Sequence, residues 1–191
     1  MRPQRFQLSL AVAGLLVAAC GSQAKAPSPT AAPTAAPFTT SAFSVRIPTG
    51  WTNETSNQHE IAQLNSNGTV LLLIETSPPG RAIANVNDVK ANINVVLARQ
   101  PVAADQFGQY LASVAASGAS NLSVPASFAL GGETGMYITY DLDVSGTPGA
   151  SQDMVVNHDG ETYDIVLNTS KFAFPDQLPA LHRLLASWRW S

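Results

Sequence analysis

Cysteine is almost absent from this chain. Its single copy, Cys20, stands near the start of 191 residues. No intrachain disulfide can form, so the fold rests on burial and hydrogen bonding alone. Charge is also sparse: Asp, Glu, Lys and Arg make up 12% of the chain, against about 25% in ordinary globular proteins. Basic residues are the scarcest. None occurs between Arg99 and Lys171, a span that holds Asp105, Glu133, Asp141, Asp143, Asp153, Asp159, Glu161 and Asp164. With a net charge of −3, the chain lacks the basic stripe that nucleic-acid binding requires. Catalytic signatures are missing too. There is no Gly-x-Ser-x-Gly elbow, no His-Glu-x-x-His helix and no phosphate loop. His59, His158 and His182 lie in separate segments without ligand spacing, so no metal or cofactor is expected. Gly131-Gly132 reads as a turn before a strand, not a dinucleotide loop. A serine hydrolase stays open, because triads are assembled in space.

What the chain does have begins at its first residues. Arg2 and Arg5 give a positive start, Leu8 to Val17 is an apolar run, and Ala18 and Ala19 offer a small-residue cleavage point. The run is shorter than the about 20 residues that a membrane-spanning helix needs. Val17-Ala18-Ala19-Cys20 resembles the lipobox of bacterial lipoproteins, with Val17 where leucine is commonest. That resemblance implies cleavage before Cys20, a diacylglycerol on its thiol and an acylated terminal amine. Two or more acyl chains hold a protein stably at a membrane, where one does so only marginally. The same residues also fit an ordinary export signal cut at Ala19. The sole cysteine falling at that position favours the lipobox. Loss of residues 1–19 leaves 8 basic and 13 acidic side chains. The expected location is the extracytoplasmic face of a cell membrane, held by lipid at Cys20.

Residues 20–37 comprise Cys20 and a stretch of Ala, Pro, Ser, Thr and Gly with Gln23 and Lys25. Such composition cannot build a core. Pro27, Pro29, Pro33 and Pro37 bias it towards an extended form rising about 3.1 Å per residue, so the spacer reaches at most about 50 Å.

Residues 38–191 suit one domain. Phe43, Val45 and Ile47 alternate as a strand, and Pro48 and Gly50 turn the chain into Trp51, read as a core or edge plug. Ile61 to Leu64 reads as a short strand, Asn65 to Gly68 as a turn, and Thr69 to Thr76 as a strand buried on both faces, stopped at Ser77 to Gly80. Val86, Val89, Ile93, Val96 and Leu97 fall at helical spacing with Asn85 or Asn87 as cap. Phe107, Tyr110, Leu111, Val114 and Ala115 predict a second helix, with Asp105 in its first turn and Gly118 at its stop.

Period two then returns. Leu122 to Leu130, disturbed by Pro125, suits an edge strand or one with a bulge, and Met136 to Val144 alternates cleanly. Ser145 to Ala150 reads as a turn. Asp159-Gly160 predicts a tight hairpin whose register pairs Val156 with Tyr163 and Met154 with Ile165 on one face. On the other face Val155 meets Asp164 and Asp153 meets Val166. Pro175 and Asp176 open a last helix bearing Leu178, Leu181, Leu184 and Leu185, and Trp188 and Trp190 close the chain.

The aromatic-led strand from Phe43 to Trp51, Gly135 to Tyr140, Gly160 before Tyr163, and the final helix ending at Trp188 to Trp190 together resemble the PsbP-like fold. They are similar also to lipoproteins of the LpqN/LpqT and DcrB types. The resemblance covers most of residues 38–191. It implies an α+β domain with a central antiparallel sheet flanked by helices on both sides. It implies binding or scaffolding roles and no shared catalytic set.

The function expected is a membrane-anchored binding or scaffolding module for an envelope protein, lipid or other component. An envelope hydrolase and a small-ligand carrier are the alternatives. Asp141 and Asp143 share a strand face, which reads as a solvated acidic surface or, alternatively, a surface for a cation or basic partner.

Overall fold

The computed structural model describes residues 37–64, 68–76, 90–115, 118–144 and 146–191. Cys20, the spacer up to residue 36, the turn at residues 65–67, the stop at 77–80 and the helix caps expected at Asn85 or Asn87 lie outside them.

Ten strands and three α-helices are formed by the described residues. Seven strands make one antiparallel sheet. Along it run β3 (Trp51–Asn53), β4 (Gly68–Thr76), β5 (Asn92–Ala98), β9 (Glu161–Ser170), β8 (Thr147–His158), β7 (Glu133–Val144) and β6 (Ala126–Leu130). A small second sheet joins β1 (Phe38–Thr39), β2 (Phe43–Val45) and β10 (Arg189–Trp190), so the end of the domain returns to its start.

One face of the large sheet carries the main core. Leu72, Ile74, Ile93, Val95, Met154, Val156, Ile165 and Leu167 meet Leu181 and Leu184 of α3 (Phe174–Ala186) and Phe43 and Val45 of β2. Trp188 is wholly buried there and stacks on Phe43, ring centroids 4.2 Å apart. The opposite face carries α2 (Phe107–Ala115), whose Phe107, Leu111 and Ala115 pack on Ile138, Tyr140 and Val155. Helices therefore flank the sheet on both sides, as the expected α+β architecture requires.

The Asp159-Gly160 hairpin has the expected register throughout, from His158 opposite Glu161 to Asp153 opposite Val166. Both turn residues take positive φ, 48° and 80°, the signature of a two-residue turn whose twist matches the strands. β6 is an edge strand as expected, though it begins only after Pro125. Trp51 sits in the opposite edge strand and packs against the core.

Three local expectations are corrected. Ile93, Val96 and Leu97 belong to a strand, not a helix. The run pairs with β4 on one side and β9 on the other. Its Ile93 and Val95 then face the main core while Asn94 and Val96 face α2's side, an alternation that the helical spacing masked. Ile61 lies in a helix, α1 (Gln58–Gln63), and not in a strand. Asn57 caps it, accepting from the Glu60 amide at 3.4 Å, so the cap at Asn57 was the overlooked signal. The turn at 145–150 is narrower than expected: Thr147, Pro148 and Gly149 already pair with Val144, Asp143 and Leu142.

Candidate functional site

α2 and the chain that leads into it form the most chemically specific region. After β5 ends at Ala98, the backbone crosses over the sheet and passes through a short 3-10 turn, Ala104–Gln106, into α2. Val102 is pinned on the way. Its N–H donates to Thr162 Oγ1 at 2.8 Å, and its carbonyl accepts from Asn157 Nδ2 at 2.8 Å. Thr162 in turn donates to Asn157 Oδ1 at 2.6 Å, closing the relay.

The crossing and α2 enclose an open cleft of about 570 Å³. Its polar lining is Arg99, Gln100, Gln106, Gln109 and Ser113, with Val102 and Val114 as apolar patches and Tyr110 on its wall. Side-chain amides both donate and accept hydrogen bonds, and Arg99 adds a fixed fork of donors. The cleft is equipped for a ligand rich in hydroxyl groups.

Behind Tyr110 lies a buried carboxyl pair. Asp153 on β8 is 3% exposed and Asp164 on β9 is 8% exposed. They are diagonal neighbours on the face beneath α2, since Asp153 opposes Val166 and Val155 opposes Asp164. Tyr110 donates to Asp164 Oδ2 at 3.1 Å, and Tyr140 approaches Asp153 Oδ2 at 3.4 Å. Among the described residues, no donor reaches the buried Oδ1 of either carboxyl in good hydrogen-bond geometry. The carboxyls also act on each other directly.

Two adjacent carboxylates out of water cannot both ionise at ordinary cost. Burial is the main cause that pushes both above the usual carboxylate value, and the charge of Asp164 raises Asp153 further. A proton held by the pair turns an orphan acceptor into a donor, and its titration belongs to the pair. Burial, then the neighbouring carboxyls, also push Tyr110 and Tyr140 far above the ordinary phenol value. Both phenols therefore stay protonated and keep donating.

The other acidic residues go elsewhere. Asp141 meets Lys171 Nζ at 2.6 Å and Asn121 Nδ2 at 2.7 Å, and the Lys171 bond holds its carboxyl below the usual range. Asp143 Oδ1 accepts from the Gly146 amide at 2.6 Å and so closes the β7–β8 turn. Glu133 and Asp159 flank the ring nitrogens of His158 at 3.0 and 3.6 Å. Among the described residues no serine hydrogen-bonds His158. Among the described residues no cluster of three or more His, Cys, Asp or Glu side chains is placed to hold a metal ion.

Within the acidic span, Asp141, Glu133 and Asp159 meet cationic or imidazole partners near the surface, while Asp153 and Asp164 are buried together. The register had already put Asp153 and Asp164 on one face. What it lacked was α2 lying over that face.

Comparison with solved structures identifies the architecture. LpqN of Mycobacterium tuberculosis, described as involved in cell envelope biogenesis, superposes with a TM-score of 0.55 at 11% identity, covering 78% of this chain and 83% of LpqN. Cyanobacterial PsbP (CyanoP) of Synechocystis sp. PCC 6803 superposes with a TM-score of 0.50 at 11% identity, covering 82% of this chain and 92% of CyanoP. The fold is PsbP-like. No family profile matches the chain, and no curated protein sequence matches it either. At such identities the PsbP-like fold is shared without any implied sharing of sites. Among the described residues of this PsbP-like chain, no helix is long and apolar enough to cross a membrane.

Proposed function

We propose that this protein is a lipid-anchored, extracytoplasmic binding module that holds a hydroxyl-rich envelope component, such as a saccharide, in the cleft between α2 and the end of β5. The amide-lined cleft carries this reading: glutamines from both the crossing and α2 converge with Arg99 on one concavity. The lipobox-like sequence at Cys20 supports the anchor, and the long spacer would let the domain sample its surroundings. The likeness to LpqN, a protein involved in cell envelope biogenesis, is in keeping with an envelope setting.

Two measurements test it. Saturation-transfer NMR with saccharide fragments of the envelope should show transfer to bound ligand in the parent chain and none in a Gln106→Ala, Gln109→Ala double variant. Equal transfer in both would remove the cleft from the proposal. Mass spectrometry of the mature protein should find a doubly or triply acylated Cys20 at the terminus. An unmodified terminus on protein released to the medium would remove the anchor and leave the cleft reading intact.

A further inference from the structure

A second cleft lies on the opposite layer of the domain, where the small sheet meets the end of α3. It encloses about 630 Å³ and is lined by three arginines: Arg46, Arg183 and Arg189. All three are exposed, and among the described residues no carboxylate lines the cleft with them. In a chain so short of positive charge, this is a marked concentration. Among the described residues, carboxylates pair with both lysines, Lys90 and Lys171, and with no arginine.

The fold sets this cluster. Phe43 and Val45 are buried, so alternation along β2 turns Ser44 outward. Arg189 of β10 lies directly opposite Ser44. Arg46 follows the strand and is fixed by its backbone, whose N–H donates to Ser187 Oγ at 2.8 Å. Ser187 itself ends α3, donating to the Leu184 carbonyl at 2.7 Å. Arg183 stands one turn earlier on α3. Its position in the last turn complements the negative end of the helix dipole, which explains one arginine. It does not explain Arg46 and Arg189, which come from the strands. Arg189 spends one donor on the Trp188 carbonyl, Nη1 to oxygen 2.6 Å. Its other donors, with those of Arg46 and Arg183, border the same cleft, a setting that favours an anion.

We infer that the cleft between β2, β10 and the end of α3 is a binding site for a phosphate group, gripped by the guanidinium groups of Arg46, Arg183 and Arg189. Guanidinium forks match the oxygens of phosphate two at a time, which an ammonium cannot do. The hydroxyls of Ser44 and Thr49, both on the lining, are further donors. Pro37 also lines the cleft, at the point where the spacer from Cys20 enters the domain. The phosphate has two possible sources, a phospholipid headgroup or a soluble phosphate compound. The inference depends neither on the anchor nor on the cleft at α2.

The test uses residues 20–191 carrying Cys20→Ser, so that neither an acyl group nor the apolar run before Cys20 brings the chain to a membrane. One arm titrates inorganic pyrophosphate by calorimetry. The other measures flotation with phosphatidylcholine vesicles, with and without phosphatidylglycerol. Binding in the first arm only assigns a soluble phosphate ligand; binding only to the phosphatidylglycerol vesicles assigns a lipid headgroup. In whichever arm binds, R46Q/R183Q/R189Q should lose about tenfold or more in affinity, as expected when charge-assisted pairs are removed. K171Q, which removes a cation outside both clefts, should lose nothing. Circular dichroism confirms that the variants are folded, and R46Q alone serves if the triple variant is not. Binding in neither arm, or an equal loss in K171Q, overturns the inference.

Discussion

Tyr110 donates its phenolic hydrogen to Asp164 across 3.1 Å, from a helix to the strand beneath it. This contact crosses the layer boundary between α2 and the sheet. It also joins the wall of the open cleft to the buried carboxyl pair. Removing the hydroxyl leaves Asp164 Oδ2 buried without its donor. Tyr110→Phe should therefore cost about 1–3 kcal/mol of stability, the range for an orphaned buried polar group. Urea denaturation at neutral pH measures it. Amide exchange should rise first along α2.

The carboxyl pair makes stability fall as pH rises. Folded Asp153 and Asp164 hold protons above the usual carboxylate value of 3.8, so between that value and their folded pKa the native state binds more protons than the unfolded chain. Stability is fully present below the unfolded pKa and is lost as pH climbs through the folded one. Asp141, held low by Lys171, acts in the opposite sense: its contribution is lost as pH falls. Asp153→Asn replaces the protonated acid with a neutral amide. Denaturation midpoints measured from about pH 4 to about pH 8 should decline in the parent and flatten in the variant. Parallel curves for the two proteins would show that Asp153 does not titrate in this range.

Gly131 and Trp190 are matched at the β6–β7 turn. Gly131 has φ 59°, and a methyl group there would lie 2.7 Å from the Trp190 ring. Trp190 in turn stacks on His158 at 4.2 Å and donates to the Leu130 carbonyl at 3.2 Å. Gly131→Ala should lower stability by more than about 1 kcal/mol, since both backbone and space oppose it. A change in tryptophan emission should accompany the loss, because the ring must leave the imidazole.

Thr162 holds the floor of the α2 cleft through Val102. Thr162→Val keeps the shape but removes the acceptor for the Val102 N–H and the donor to Asn157 Oδ1. A cost of about 1–3 kcal/mol is expected, read by thermal melting. Saccharide transfer in the NMR assay should weaken with it, although Thr162 does not line the cleft.

Much of the fold could be read along the chain where a pattern is local. The Asp159-Gly160 hairpin is one case, because turn chemistry and alternation specify one register and agree. The final helix and the second helix, α2, are others, since their apolar spacing is unambiguous. The strand Asn92–Ala98 was not legible in this way. Ile93, Val96 and Leu97 satisfy helical spacing as well as alternation, and only its two strand neighbours decide between them. The arginine cleft was equally hidden. Arg46 lies more than a hundred positions from Arg183 and Arg189, and the small sheet alone brings them together.

By itself, then, the order of residues determined the pairing across the hairpin and the apolar faces of α2 and α3, and it raised the expectations of an anchor at Cys20 and a spacer after it. Each depends on neighbours within a few residues, or on composition, and so needs no knowledge of distant packing. The tertiary structure decided which acidic residues are buried, where the two clefts open and which side chains line them. Those properties arise where a helix lies across a sheet or the last strand returns to the first. There the cost of removing charge from water, and the gain from packing, depend on segments far apart in the chain.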